Sequence, residues 1–218
     1  MKKLLIKEIK LSLDAHIIIF VILSLTILVP NYPPVASIII SLSGLMTLFP
    51  RNLANKDIEY TSLLPIKKTD VVKVKMLFIE LVELSALLLA IVGGLIRGFL
   101  YTPSQTPTPN IINAFKPCIS YIGFALLTYG VTNCILFSLY YKNPFKKITG
   151  PNLISLFSAL ILSIIITIIM VFVPILSSYD MCGLIAQFGI LLSGGISFYI
   201  LSYVGYRIGA KEFNKIDL

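Results

Sequence analysis

The sequence predicts an all-α, polytopic membrane protein, and three observations carry that expectation. The first is composition: only 13% of the 218 residues are charged and 57% are hydrophobic, where a soluble domain carries about 25% charged residues. Mean hydropathy is +0.93, so there is too little polar side chain to cover a water-exposed globule. The second is length: six apolar runs approach the roughly 20 residues that a helix needs to cross the hydrocarbon core. They are 15–30, 34–50, 76–100, 118–141, 152–176 and 182–206. The third is charge: with the N-terminus inside, all but two of the 18 basic residues fall on one side. That asymmetry predicts six spans with both termini in the cytoplasm of a multi-pass cell-membrane protein. The net charge of +8 then faces anionic lipid and calls for no nucleic acid. Alternation of polar and apolar residues is weak in every run, which points to helices rather than barrel strands.

Residues 1–14 form the first unit. Lys3, Lys7, Lys10 and Asp14 fall on one side of a helix, and Leu5, Ile6, Ile9 and Leu13 on the other. This predicts an amphipathic elbow helix lying in the cytoplasmic interface, as a lateral clamp or a surface anchor. The basic start, the apolar core and Ala36–Ser37 have the parts of a secretory leader. The segment before the apolar core is long and helical in pattern, so it reads as retained. The first two apolar runs are short, and the uncharged, proline-broken "NYPP" between them suits a tight reversal. Ser37, Ser41 and Gly44 share a face of the second run, as close helix contact requires. His16 reads as an interfacial residue.

The connection 51–76, "RNLANKDIEYTSLLPIKKTDVVKVKM", is the most charged part of the chain. Membrane orientation alone needs only its lysines. The added acids and Tyr60 fit a surface that meets another protein, and the plain alternative is a solvated loop of mixed charge. "NLANKDIEY" can form two helical turns capped by Asn52 or Asn55. Pro65 interrupts, and Thr69 with Asp70 can cap a new helix leading into the third span.

Glu80 and Glu83, at i and i+3, share one face of that span. A carboxylate at the bilayer centre costs roughly 2.5–3.5 kcal/mol on insertion scales, so it should face protein or water. The pair are candidates for a translocation path or for burial against a basic residue. Counted from Thr69, the third helix would be about 32 residues and nearly 50 Å long, enough to leave Glu80 at the inner edge of a core of about 30 Å. Arg97 and Lys116 read as outer residues that snorkel to the interface, and Asp180 marks the last outer turn. The connection "TPSQTPTPN" should be extended and exposed. In the last run Gly189, Ser193 and Ser197 share a face, with Gly194 and Gly195 beside it. Cys118, Cys134 and Cys182 fit neither a zinc site nor a disulfide framework.

The segment "DIEYTSLLPIKKTDVVKVKM" resembles the stretch after the second span in ABC-2 type transporter permeases. Its parts are Asp57 and Glu59, the Leu64–Pro65 step, Lys67–Lys68, Val71–Val72 and Lys75. The six-span layout, the elbow-like N-terminal helix and the length extend the resemblance over nearly the whole chain, 1–218. It is similar to small permeases of bacterial peptide and toxin exporters. The resemblance implies one transmembrane domain whose short helix after span two is a coupling helix seated on a separate ATPase subunit. Lys56, Asp57, Glu59, Tyr60 and Leu63 would make that contact. It also implies pairing with a second permease, the same or a sister chain, and export of an amphipathic or apolar substrate, peptides included. ATP and Mg would sit on the ATPase, leaving this chain without a cofactor and not an enzyme by itself. In keeping with that, no GxxxxGK[ST] phosphate loop occurs in the sequence. Two rival classes fit the residues less well. A lone histidine cannot build HExxH for an intramembrane protease. A six-span substrate-binding subunit of an uptake system should carry little charge between spans two and three.

Overall fold

Proline and the apolar runs set where the helices begin and end. The computed structural model describes residues 2–29, 32–62, 66–100, 118–142, 149–178 and 180–216. Its helices are α1 (Lys2–Ser12), α2 (Ala15–Leu23), α3 (Val35–Met46), α4 (Leu48–Ala54), α5 (Asp57–Ser62), α6 (Lys68–Leu100), α7 (Ile119–Tyr140), α8 (Thr149–Phe172) and α9 (Met181–Asn214). The tighter turns Ser24–Leu28 and Pro174–Ser177 extend α2 and follow α8. Among the described residues there is no strand. The connection "TPSQTPTPN", Leu63, the Leu64–Pro65 step, Lys116 and the Lys146–Lys147 pair lie outside the described residues.

Five stretches are long and apolar enough to cross a membrane: Val35–Ala54, Lys68–Gly98, Ile119–Tyr140, Thr149–Phe172 and Met181–Asn214. A sixth exists only if α1 and Ala15–Leu28 count together, and these two are bent by 82°. The reason is length. Fourteen residues cover about 21 Å at the α-helical rise, short of a core of about 30 Å. Asp14, with extended backbone (φ −106°, ψ 160°), makes the corner.

The second stretch runs past its expected end at Pro50 to Ala54. Proline has no N–H and its ring crowds the carbonyl four residues back. The helix accordingly breaks at Thr47, between α3 and α4. The Met46 carbonyl is taken instead by Asn152 Nδ2 on α8, at 2.8 Å. A backbone defect in one helix thus becomes a specific link to another. Between α4 and α5 the chain turns at Lys56, the one non-glycine position with positive φ among the described residues (52°). Leaving the right-handed helical region there is what separates the two short helices.

α7 is the central helix. It packs along α9 and α8 and touches α3 and α6. α3 lies between α2 and α8, while α6 leans on the Ser24–Leu28 turn and on α9. The α7–α9 contact is backbone against backbone. A Cβ placed on Gly194 would fall on the Gly123 carbonyl oxygen, and one on Gly123 would fall on the Ile190 carbonyl. Gly205 repeats this about three turns along, where a Cβ would sit 2.8 Å from Cys134 Cα. Gly189 and Gly195 face open space. The small-residue stripe of the last helix therefore runs through Gly194 and Gly205, not through Gly189 and Ser193 as the spacing suggested.

The outward faces are oily. Phe157, Ile161 and Phe172 on α8, and Met181, Ile185 and Leu192 on α9, are all exposed. Large apolar side chains in continuous helical stripes are stable against lipid and costly against water. Inside, the apolar core falls into two clusters. One gathers Phe49, Phe78, Val82, Phe137, Tyr140 and Tyr141. The other gathers Ile38, Leu42, Leu87, Tyr121, Tyr129 and Ile166.

Candidate functional site

Two polar assemblies stand out against this background, and α6 contributes to both. The first joins α1, α5 and the start of α6. Lys75, which is 2% exposed, places Nζ 3.3 Å from Asp57 Oδ2 and 3.5 Å from Glu8 Oε1. Lys7 Nζ lies 2.8 Å from Asp57 Oδ1 and donates to Thr61 Oγ1 at 2.6 Å. Ser12 donates to Glu8 Oε1 at 2.8 Å. Two cations and two anions balance, as burial of charge requires. Phe49, Tyr140, Tyr141 and Phe213 pack edge to face beside them, with the Phe49 and Tyr140 ring centroids 4.4 Å apart. The electrostatic neighbours of Tyr140 include Asp57 and Glu8. Nearby, Arg51 on α4 pairs with Asp14 at the α1–α2 corner, and Lys68 Nζ donates to the Ile216 carbonyl at 2.6 Å. The connection 51–76 is thus tied to both ends of the chain.

Burial alone pushes the Asp57 carboxyl up, but Lys75 and Lys7 outweigh it and hold the group below its ordinary value. A carboxyl depressed in the folded state stabilises above its unfolded-state value, and that contribution is lost as pH falls through the folded value. The α1–α5 junction should therefore hold at neutral pH and loosen on acidification below about pH 4. Spin labels at the exposed positions Leu11 and Asn55 would report it. A narrow distance distribution should broaden in acid, and an Asp57→Asn variant should already be broad at neutral pH.

The expected partner-contact residues separate here. Tyr60 is 65% exposed, and Lys56 is exposed at the turn before α5. Asp57 turns inward and is spent on Lys7 and Lys75. The backbone of Glu59 belongs to α5, while its side chain and Leu63 lie outside the described residues. Asn52, offered as a cap, is instead buried within α4. Asn55 caps the C-terminal end of α4 rather than starting a helix. On α1, Lys7 does not stay on a solvated basic face but reaches across to Asp57. Sequence reasoning missed its neighbour Glu8. The available signal was a lone acid among four lysines within residues 2–10.

The second assembly is a polar face of α7 that runs through the second apolar cluster and ends at Asn133 and Glu83, between the two clusters along α7 and α6. Tyr121, Ala125, Tyr129 and Asn133 recur every four residues and share one face of α7. The Tyr121 hydroxyl is 2.6 Å from Ser37 Oγ and the Tyr129 hydroxyl is 2.8 Å from Ser41 Oγ. These serines were read from the sequence as small contact residues, and they prove to be hydrogen-bonding ones as well. Next along the face, Asn133 Nδ2 donates to Glu83 Oε2 at 2.8 Å. Glu83 is 1% exposed, and its Oε1 has no partner among the described residues. Glu80, one turn earlier, is half-buried beside Ser202 of α9. The structure thus brings Glu80 and Glu83 together with Asn133 and Ser202, and with no basic residue among those described. The sequence held no signal for Asn133, because a single amide in an apolar run fits many roles.

Polar side chains also finish the far end of the bundle. Gln187, fully buried, accepts from the Ile119 amide at 3.2 Å through Oε1 and donates to the Ser178 carbonyl at 2.7 Å. It closes the otherwise open first turn of α7. Arg97 does not snorkel outward. It is 8% exposed, and its Nη1 donates to the Ile27 carbonyl at 3.0 Å. The tight Ser24–Leu28 turn leaves that carbonyl in need of a donor. No protein-family model, no curated protein and no solved structure matches this chain.

Proposed function

We propose that this chain is the membrane-spanning permease subunit of an ATP-driven exporter of the ABC-2 type. In this reading both termini are cytoplasmic, α1 is the elbow helix and α5 is the coupling helix. Two such subunits, identical or sister chains, pair with two ATPase subunits that carry ATP and Mg. The substrate class is amphipathic or apolar, with peptides included, because the interior offers hydroxyl, amide and carboxyl groups around Glu83 with no basic side chain beside them among the described residues.

One observation carries this reading. A six-residue helix between two long apolar helices is clamped by buried ion pairs to the start of a 33-residue helix. A docking element that transmits motion needs an outward contact surface and a stiff inward linkage. Tyr60 supplies the first, and Asp57 with Lys75 supplies the second. Aromatic side chains are favoured at the centre of such contacts. Displacement of α5 would move the base of α6 and, through Lys7, α1 with it.

The reading is tested at Tyr60, whose replacement leaves the ion quartet intact. The tagged chain, expressed from its native locus and purified with ATP and Mg, is expected to retain an ATP-hydrolysing subunit. Tyr60→Ala should lose roughly 2 kcal/mol of that association, the scale of an interface hot spot. Membrane insertion should be unchanged. Equal retention of ATPase by the variant, or none by the wild type, rejects the assignment.

A further inference from the structure

We propose that Glu83 binds an exchangeable proton inside the helix bundle, and that Glu80 is the group through which that proton exchanges with water. The inference stands on the contact of α6, α7 and α9 alone and holds whether or not α5 meets an ATPase. Glu83 lies eight residues beyond Lys75 and fourteen before Arg97, or about 12 Å and 21 Å along the helix at 1.5 Å per residue. Both cations are committed elsewhere, Lys75 to Asp57 and Glu8 and Arg97 to the Ile27 carbonyl. The groups that face Glu83 are Asn133, which donates to it, and the titratable Glu80 from its own helix, and Glu83 in turn acts on the Tyr129 hydroxyl of α7. α9 brings Ser202, which does not titrate. α1 brings Lys7 and Glu8 only at the level of Lys75.

A carboxylate buried this deeply without a cation is neutralised instead. A metal ion is a poor fit, because among the described residues no cluster of three or more ligating acid, histidine or cysteine side chains exists. A proton needs only one oxygen, and Oε1 is the oxygen left over. Asn133 Nδ2 donates to Oε2 in either state, so the amide fixes which oxygen takes the proton. When the proton leaves Oε1, the carboxylate that remains keeps the Asn133 hydrogen bond. The proton passes to Glu80, which is half-buried and one turn nearer the Lys75 end. Ser202 Oγ, buried beside Glu80, is placed to donate to Glu80 when that group is charged. Glu83 and Asn133 fall between the two apolar clusters along α6 and α7, so a change of charge at Glu83 would act where the core is already interrupted.

The test uses the full chain in liposomes. Dicyclohexylcarbodiimide, which modifies protonated carboxyls in apolar surroundings, is expected to label Glu83. The label should be lost in Glu83→Gln and kept at Glu83 in Glu80→Gln. In the infrared, the carbonyl band of a protonated carboxyl should shift on transfer to D2O, be absent from Glu83→Gln, and shift more slowly in Glu80→Gln. No label on Glu83 in the folded protein overturns the proposal. So does a band that fails to shift, which marks an inert buried acid. An unchanged exchange rate in Glu80→Gln removes Glu80 from the route. Glutamine retains the Asn133 contact. Should that variant elute as aggregate, the D2O shift of the wild type and of Glu83→Asp decides.

Discussion

Lys75→Met is expected to destabilise the protein by about 3–5 kcal/mol, the usual result of removing one partner from a buried ion pair. Methionine keeps the length of the side chain, so little packing is lost. The damage is electrostatic. Glu8 would be left at 5% exposure with only Ser12 as donor, and Asp57 would retain Lys7 as its one cation beside the Thr61 hydroxyl. The sign of the double variant is the sharper test. Glu8→Gln alone should also destabilise, because it leaves an excess buried cation. Added to Lys75→Met, it should recover part of the loss, because Lys7 and Asp57 then balance. Thermal unfolding of the detergent-purified variants, followed by loss of monodisperse elution, measures all three. Simple additivity of the two single changes would refute the shared-charge account.

The second large effect is expected where α7 and α9 cross. Gly194→Leu should cost at or beyond the upper end of the roughly 1–3 kcal/mol typical of overpacking. At most crowded sites a neighbouring side chain can rotate away. Here the obstacle is the Gly123 carbonyl, and relief requires the two helices to separate. The adjacent Gly195→Leu is the control, since that position meets nothing within 4 Å. It should change stability by less than about 0.5 kcal/mol, as surface substitutions do. Equal shifts from the two leucines would show that α9 does not lie against α7 in this register.

The helices themselves were legible because they depend on local and compositional properties. Apolar runs of crossing length placed α7, α8 and the start of α9 within a few residues. The third helix, counted from Thr69, begins at Lys68. The break after the second run was less legible. Pro50 was read as an end, and the carbonyl it frees is instead accommodated by Asn152, more than a hundred residues away. The last run was expected to close at 206, yet helix continues to Asn214. The polar residues of its tail remain helical because Gly209, Ala210 and Phe213 still pack inward.

The candidate sites were legible by residue and not by role. Asp57 and Tyr60 were grouped as one contact surface because they are three apart in a charged segment. In the fold one faces Lys75 and the other faces outward. Glu80 and Glu83 were grouped for the same reason, and the grouping extends across helices to Ser202 and Asn133.

By itself the sequence determined the class of solvent, the helical content and the placement of most long helices, since apolar run length and charge segregation act on each segment separately. Only the tertiary structure decided which charges are used up internally. Whether Lys75 and Glu8 are buried partners depends on α1 folding back across more than sixty residues of chain, and the energy of a charge is set by what lies within a few ångströms of it.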